Sequence, residues 1–91
     1  MAKVKRFKLK HHDPFIIDGD NGEHVIPPLE KIAFTDWKDV AALADGKATM
    51  EQMLAEYKAF FLKVCPDLED EQIGDNQWLQ LGGAYFEAMG E

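Results

Sequence analysis

The stretch DGDNGE, residues 18–23, holds the residue types of a calcium loop, because aspartates stand at alternate positions beside glycine. An EF-hand takes its oxygen ligands at fixed loop positions, with a glycine in the middle and a glutamate at the end. Counted from Asp18, Gly22 stands where a ligand is needed and Glu23 stands where the glycine is needed. Leu29 takes the place of the closing glutamate, so the stretch predicts no calcium site.

A tight turn between two strands explains the same residues better. The flanking runs FIID and EHVI are rich in β-branched and aromatic residues, which favour strands. Glycine and asparagine tolerate the positive φ angles that hairpin turns require. We predict a β-hairpin whose structural turn is formed by Asp18, Gly19, Asn21 and Gly22, with Pro27 and Pro28 closing the second strand.

A zinc site is the second metal hypothesis. His11, His12, Asp13 and His24 would come together if the hairpin brings its ends to the preceding segment. Zinc needs several ligands in tetrahedral geometry. Adjacent histidines on a strand point to opposite faces, so both rarely bind one ion. We therefore predict solvated turn histidines and no metal site.

Nucleophilic chemistry has equally little support. Cys65 is the single cysteine, and it precedes Pro66 at the end of a predicted helix, where the dipole disfavours a thiolate. The chain has no serine and no glycine-rich phosphate loop. A lone cysteine permits no internal disulfide, which fits a reducing compartment. We predict no catalytic residue, no cofactor and no enzymatic activity.

The net charge of −7 is unevenly distributed over the 91 residues. Residues 1–12 hold five basic side chains and no acid, whereas residues 13–91 hold five lysines and all 17 acids, so the two parts carry +5 and −12. The segment KVKRFKLK alternates, with Lys5, Phe7 and Leu9 on one side, which predicts a short basic edge strand. A nucleic-acid-binding arm is the alternative, but beside so acidic a body it would steer poorly toward phosphates.

Capping residues predict the helices that follow the hairpin. Thr35 is a suitable N-cap for a first helix over residues 36–45, which Gly46 ends. Thr49 is the predicted N-cap of a second helix, because a glutamine stands three residues after it and the two residues can form a capping box. Pro66 stops that helix, since proline cannot continue it.

The last helix follows Asp75, its predicted cap, and carries Gly82 and Gly83 in its middle. Each glycine costs a helix about 1 kcal/mol relative to alanine. That cost predicts a close approach of the helix backbone to a neighbour, or a kink. No secretory signal is present and no stretch approaches the roughly 18 apolar residues of a membrane span, so we expect no membrane partner.

The predicted fold is a single α+β domain over residues 1–91. An N-terminal β-hairpin or three-stranded antiparallel meander (1–27) packs against about three α-helices (28–91). The last two helices carry a large apolar load, which core packing explains in part. A partner or self-association surface would explain the rest, since aromatic residues dominate interface energetics. The candidates for protein interaction are Tyr57, Phe60, Phe61, Leu62, Trp78, Tyr85 and Phe86.

The order of these features resembles a known protein family. The segment FKLKHHDPFIIDGDNGEHVIPPLEKIAFTDWKDVAAL combines a basic strand, a hairpin that ends in PPL, and an acidic amphipathic helix. In order and spacing it resembles the tail assembly chaperones of long-tailed bacteriophages, over residues 5–65 and less clearly in the last helix. The PPL turn of that family corresponds to Pro27, Pro28 and Leu29, which are structural residues.

The resemblance implies a non-enzymatic function. Such chaperones coat the tape-measure protein, keep its helical apolar surfaces from aggregating, and recruit tail-tube subunits. The resemblance also implies a homo-oligomer that acts in the host bacterial cytoplasm. It supplies no catalytic residue. Two alternatives remain beside it: a structural virion protein, such as a head–tail connector or tube component, and an acidic protein-binding regulator that occupies a nucleic-acid-binding protein.

Overall fold

A computed structural model describes residues 4–90 of the chain. Strand β1 spans Phe15–Gly19 and strand β2 spans Gly22–Ile26, and the two pair antiparallel with Phe15 opposite Ile26 and Gly19 opposite Gly22. The hairpin prediction is confirmed. Of the residues expected to tolerate positive φ, Gly22 is the one that adopts it within the described chain, at 123°.

The predicted basic edge strand is wrong for the residues that the structure describes, and Lys3 lies outside them. Residues 4–14 form no strand, and the sheet consists of β1 and β2. Phe7 and Leu9 are 89% and 68% exposed, so no apolar surface of the same chain covers them. His12 instead contacts Glu30, which accepts a hydrogen bond from its backbone N–H. The hairpin alternative therefore holds and the three-stranded meander does not.

Helix α1 spans Phe34–Ala41 and continues as a 3-10 turn over Ala42–Asp45. Its N-cap is Ala33, so the prediction of Thr35 as the cap is wrong. The backbone N–H of Asp36 already donates to the carbonyl of Ala33 at 2.9 Å, which places Thr35 inside the first turn. Gly46 ends the segment in a left-handed conformation with φ of 78°, as predicted.

Helix α2 spans Met50–Val64 and begins with the predicted capping box. The backbone N–H of Gln52 donates to the Thr49 hydroxyl at 3.1 Å, and the N–H of Thr49 donates to the Gln52 side chain at 2.9 Å. A 3-10 turn over Pro66–Asp70 follows, and Pro66 stands at its start.

Helix α3 spans Asp75–Met89, and its N-cap is Gly74. The prediction of Asp75 as the cap is therefore wrong by one residue. The side chain of Gln77 accepts a hydrogen bond from the backbone N–H of Gly74 at 2.9 Å, which stabilises the first turn from within the helix. Asp75 occupies the first helical position, where its charge complements the helix dipole.

One apolar core joins the hairpin to the helices, which confirms an α+β fold. The inner face of β1 contributes Phe15 and Ile17, which pack against that core. Lys63 of α2 also pairs with Asp36 of α1 at 3.2 Å on the surface. The buried core consists of Ile26, Val40, Phe60, Phe61, Leu68, Trp78 and Tyr85.

Of the two adjacent glycines in α3, Gly82 is the one that helix packing explains. It is buried, and a Cβ atom placed there would lie 2.3 Å from the ring of Tyr57 in α2. The predicted close approach therefore occurs, and the neighbour is an aromatic ring. A Cβ at Gly83 would meet nothing within 4 Å, so packing does not require that second glycine.

Candidate functional site

The hairpin turn is fastened to the connector before α3. The carboxylate of Glu71 accepts a hydrogen bond from the backbone N–H of Asn21 at 3.1 Å and lies 2.7 Å from Nε2 of His24. The Asn21 side chain donates to the carbonyl of Asp70 at 3.0 Å. A Cβ at Gly19 would lie 2.4 Å from the Glu71 carboxyl carbon, so this glycine makes room for the carboxylate. The turn thus positions the hairpin.

These contacts also account for the acids and histidines around the turn. The hydrogen bond from His24 holds the pKa of Glu71 below its ordinary value of 4.5. The backbone N–H of His12 likewise lowers the pKa of Glu30. His12 and His24 lie on different carboxylates, so they do not gather as the zinc hypothesis required, and the half-buried His24 is not the solvated histidine that the sequence predicted. Within residues 4–90, no group of three acids, histidines or cysteines could hold a metal ion.

Cys65 sits at the junction between α2 and the 3-10 turn, partly buried. Burial raises the pKa of its thiol, and the nearby carboxylate of Asp67 raises it further. Both effects lower the thiolate fraction at neutral pH, so the thiol is a poor nucleophile.

Four of the seven interaction candidates lie in the core. Phe60, Phe61, Trp78 and Tyr85 are each at most 4% exposed. Tyr85 is at the centre: its ring lies 5.7 Å from that of Phe60 and 5.5 Å from that of Phe61. These four side chains stabilise the fold and are not accessible on the surface of the folded chain.

The hydroxyl of Tyr85 links this core to the turn after β2. It donates a hydrogen bond to the carbonyl oxygen of Pro27 at 2.5 Å, and Pro28 beside it is fully buried. Burial raises the pKa of Tyr85 to about 12, with a further contribution from Glu30. The predicted structural role of the two prolines therefore has a specific partner on α3.

The other three candidates, Tyr57, Leu62 and Phe86, are half-buried. Leu62 packs against the core. The rings of Tyr57 and Phe86 stack with centroids 5.9 Å apart, at the place where Gly82 admits the tyrosine ring. Their outer sides are thus available to form a surface.

That surface is the wall of an apolar groove between α1, α2 and α3, with a volume of about 260 Å³. Trp37, Val40 and Leu43 contribute from α1 and the turn that follows it. Two alanines on the same segment, Ala41 and Ala44, are too small to fill the space. The opposite side of the groove is formed by Met53, Tyr57 and Phe86.

Exposed apolar side chains extend this groove. Phe34 is 59% exposed, and its ring lies edge-on to that of Trp37 with centroids 4.9 Å apart. Met50 is 66% exposed and precedes Met53 by one helical turn, so it continues the same stripe of α2. The groove and its extensions thus bring Phe34, Trp37, Met50, Met53, Tyr57 and Phe86 onto one side of the helices.

An acidic depression adjoins the groove and shares Leu43 with it. Asp39, Asp45 and Glu56 line this depression together with a single lysine, Lys47. An apolar surface with an acidic border fits a partner whose apolar stripe is flanked by basic residues.

The sequence indicated part of this site. Tyr57 and Phe86 were among the candidates, whereas Trp37 and Leu43 were not. The signal that could have identified them lies in α1 and the 3-10 turn after it, where Trp37, Val40 and Leu43 share one stripe with the small residues Ala41 and Ala44.

Comparisons with family models, curated proteins and solved structures find no match to this chain. No helix among residues 4–90 is both long enough and apolar enough to span a membrane. The fold and the groove are therefore the observations on which a functional proposal rests.

Proposed function

We propose that this protein is a non-enzymatic tail assembly chaperone of a long-tailed bacteriophage. It binds apolar helical surfaces of the tape-measure protein, helps recruit tail-tube subunits, associates with itself, and acts in the host bacterial cytoplasm. The resemblance over residues 5–65 supports the family. The observation that carries the binding role is the apolar groove between the three helices.

The shape of the groove favours a helical client. A groove lined by methionine and aromatic side chains accepts the apolar face of an amphipathic helix, because these residues adapt to varied side chains. Tape-measure proteins are long and helical, and before assembly their apolar stripes would be exposed to water. Covering those stripes is the chemistry that the groove can perform.

The acidic border determines which helices bind well. Asp39, Asp45 and Glu56 would attract lysines and arginines beside the client's apolar stripe. The other acidic side chains of residues 13–91, which carry a net charge of −12, keep the chaperone soluble while its groove is unoccupied. We expect moderate salt to slow association more than it weakens the final complex.

Co-expression with the tape-measure protein encoded by the same genome tests this proposal. The informative variant is Ala44→Glu, because Ala44 is exposed and lines the groove, so the added carboxylate blocks the client while the fold is kept. The matched control is Ala55→Glu, at an exposed position of α2 outside the groove lining.

The wild-type protein and Ala55→Glu should co-purify with the tape-measure protein, and Ala44→Glu should not. Equal retention of both variants would show that the groove is not the binding site. Failure of the wild-type protein to bind would refute the chaperone role. Mass spectrometry of purified virions distinguishes the chaperone from the structural virion protein, one of the two alternatives, because a structural protein is retained there and a chaperone is absent.

A further inference from the structure

The N-terminal arm, residues 4–10, exposes apolar side chains that its own fold does not cover. Val4, Phe7 and Leu9 are 81%, 89% and 68% exposed. They stand among Lys5, Arg6, Lys8 and Lys10, with Phe7 and Leu9 on the same side of the alternating pattern. The molecule measures 60 × 33 × 20 Å, which is elongated for a chain of this length. The arm has the sequence pattern of a β-strand but pairs with no strand of the described chain.

The hairpin is a two-stranded sheet that a third strand could extend. Both β1 and β2 have an unpaired edge within the described chain. On the outer face, Ile16 lies opposite Val25, and these side chains are 53% and 55% exposed. The next pair on that face is Asp18 opposite Glu23, two like charges whose juxtaposition destabilises a hairpin.

In one antiparallel register, the arm places two residues beside complementary residues on the outer face of β1. When Phe7 lies opposite Ile16, the two-residue period places Lys5 opposite Asp18. Aromatic and β-branched side chains then meet on one face, and the lysine neutralises the like-charged pair. A slip of one residue would turn Phe7 and Lys5 to the other face of the sheet, so the register is well defined.

The occupant of the edge is the arm of a second copy. In its own chain, the base of the arm is held toward the turn after β2, because the backbone N–H and the ring of His12 both contact the Glu30 carboxylate. His12 lies within the short connection that would have to turn back for the arm to reach its own β1. Residues 1–12 carry +5 and residues 13–91 carry −12, so the basic arm of one copy is attracted to the acidic part of a second copy.

We propose that residues 4–10 of one copy add as an antiparallel third strand to β1 of a second copy, with Phe7 beside Ile16 on the outer face of the sheet. A reciprocal addition closes a two-fold dimer with no free arm. This inference rests on the self-association that belongs to the proposed function and specifies how it occurs. It assigns the groove to the client and the hairpin face to the second copy.

Sedimentation velocity of the full-length chain at increasing concentration tests the contact. Phe7→Asn should raise the dimer dissociation constant by about tenfold or more, given what burial of a phenylalanine contributes. The matched control is Val4→Asn, on the same arm and equally exposed but on the other side of the pattern, and it should change the constant far less. Phe7 is exposed in the single chain, so neither variant should unfold it.

A charge exchange separates a second copy from the same chain. Lys5→Glu alone and Asp18→Lys alone should each weaken the dimer, because each places like charges across the register. An equimolar mixture of the two should recover a heterodimer, since every arm then meets an edge of opposite charge. A strand that folds back on its own hairpin cannot be rescued by mixing.

The possible outcomes each decide the inference. A wild-type chain that stays monomeric, or variants that are not rescued by mixing, would overturn it. A dimer that is insensitive to Phe7→Asn would also overturn it, while leaving tape-measure binding intact. If the wild type dimerises and mixing the two charge variants restores a dimer, but the wild type does not bind the tape-measure protein, the proposed function is refuted and the arm contact stands.

Discussion

Gly82→Ala isolates the packing that shapes the groove. In a helix interior, alanine is more favourable than glycine by about 0.8–1.0 kcal/mol. At this position, however, the new Cβ would lie 2.3 Å from Cδ2 and 2.5 Å from Cγ of Tyr57. Cγ is the ring atom nearest the backbone, so rotating the ring alone does not relieve the contact. Either Tyr57 leaves its rotamer or the two helices separate.

Gly83→Ala is the matched control, because it changes the same residue type in the same helix where nothing lies within 4 Å. It should stabilise the protein by about 1 kcal/mol. Overpacking costs about 1–3 kcal/mol, so Gly82→Ala should be neutral to about 2 kcal/mol less stable than the wild type. The helix preference cancels between the two variants, and their difference of about 1–3 kcal/mol is the packing cost alone.

Urea denaturation followed by far-UV circular dichroism measures both free energies of unfolding. In thermal melts, each 1 kcal/mol corresponds to about 4–8 °C for a domain of this size. Adding Gly82→Ala to a Tyr57→Ala background should stabilise the protein, because the ring is gone and only the helix preference remains. If Gly82→Ala stabilised the wild-type chain as much as Gly83→Ala does, the proposed contact with Tyr57 would be refuted.

Three further predictions concern the links between elements. Glu71→Gln should lower the free energy of unfolding at neutral pH. Since folding lowers the pKa of Glu71, the wild type should lose this stabilisation as the pH falls below 4.5, whereas the urea midpoint of the variant should change less over that range. Tyr85→Phe should cost about 1 kcal/mol through its lost hydrogen bond. Because the fold raises this pKa from 10 to about 12, the wild type should lose stability between these pH values, and parallel curves for Tyr85→Phe would contradict that assignment. Thr49→Ala should cost about 1 kcal/mol through the lost capping box, measurable as a lower thermal midpoint, and an unchanged midpoint would count against it.

Local chemistry made several elements predictable. The hairpin follows from β-branched strands around glycine and asparagine, and the start of α2 follows from Thr49 and Gln52, whose hydrogen bonds involve near neighbours. The two wrong caps differ from the observed ones by one or two residues, since Ala33 and Gly74 take the cap positions without a capping side chain. Caps of that kind carry little signal in a sequence.

The arm shows where alternation alone is insufficient. Its pattern of lysines with Phe7 and Leu9 is that of a strand, and by composition it should pair. In the described chain the arm pairs with neither strand, and His12 at its base contacts Glu30, 18 residues further along. A long-range contact of this kind has no signature in the local sequence.

The sequence by itself determined the charge division, the turn, the helix count and the absence of serine chemistry, because these depend on residue types and near neighbours. The tertiary structure alone decided which aromatic side chains are core and which form a surface. Phe60 and Phe61 lie on the same helix as Tyr57, yet they are buried against Tyr85 of α3, whereas Tyr57 meets α3 at Gly82 and forms part of the groove wall. That division depends on how three helices pack together, and the apolar periodicity of a single helix does not show it.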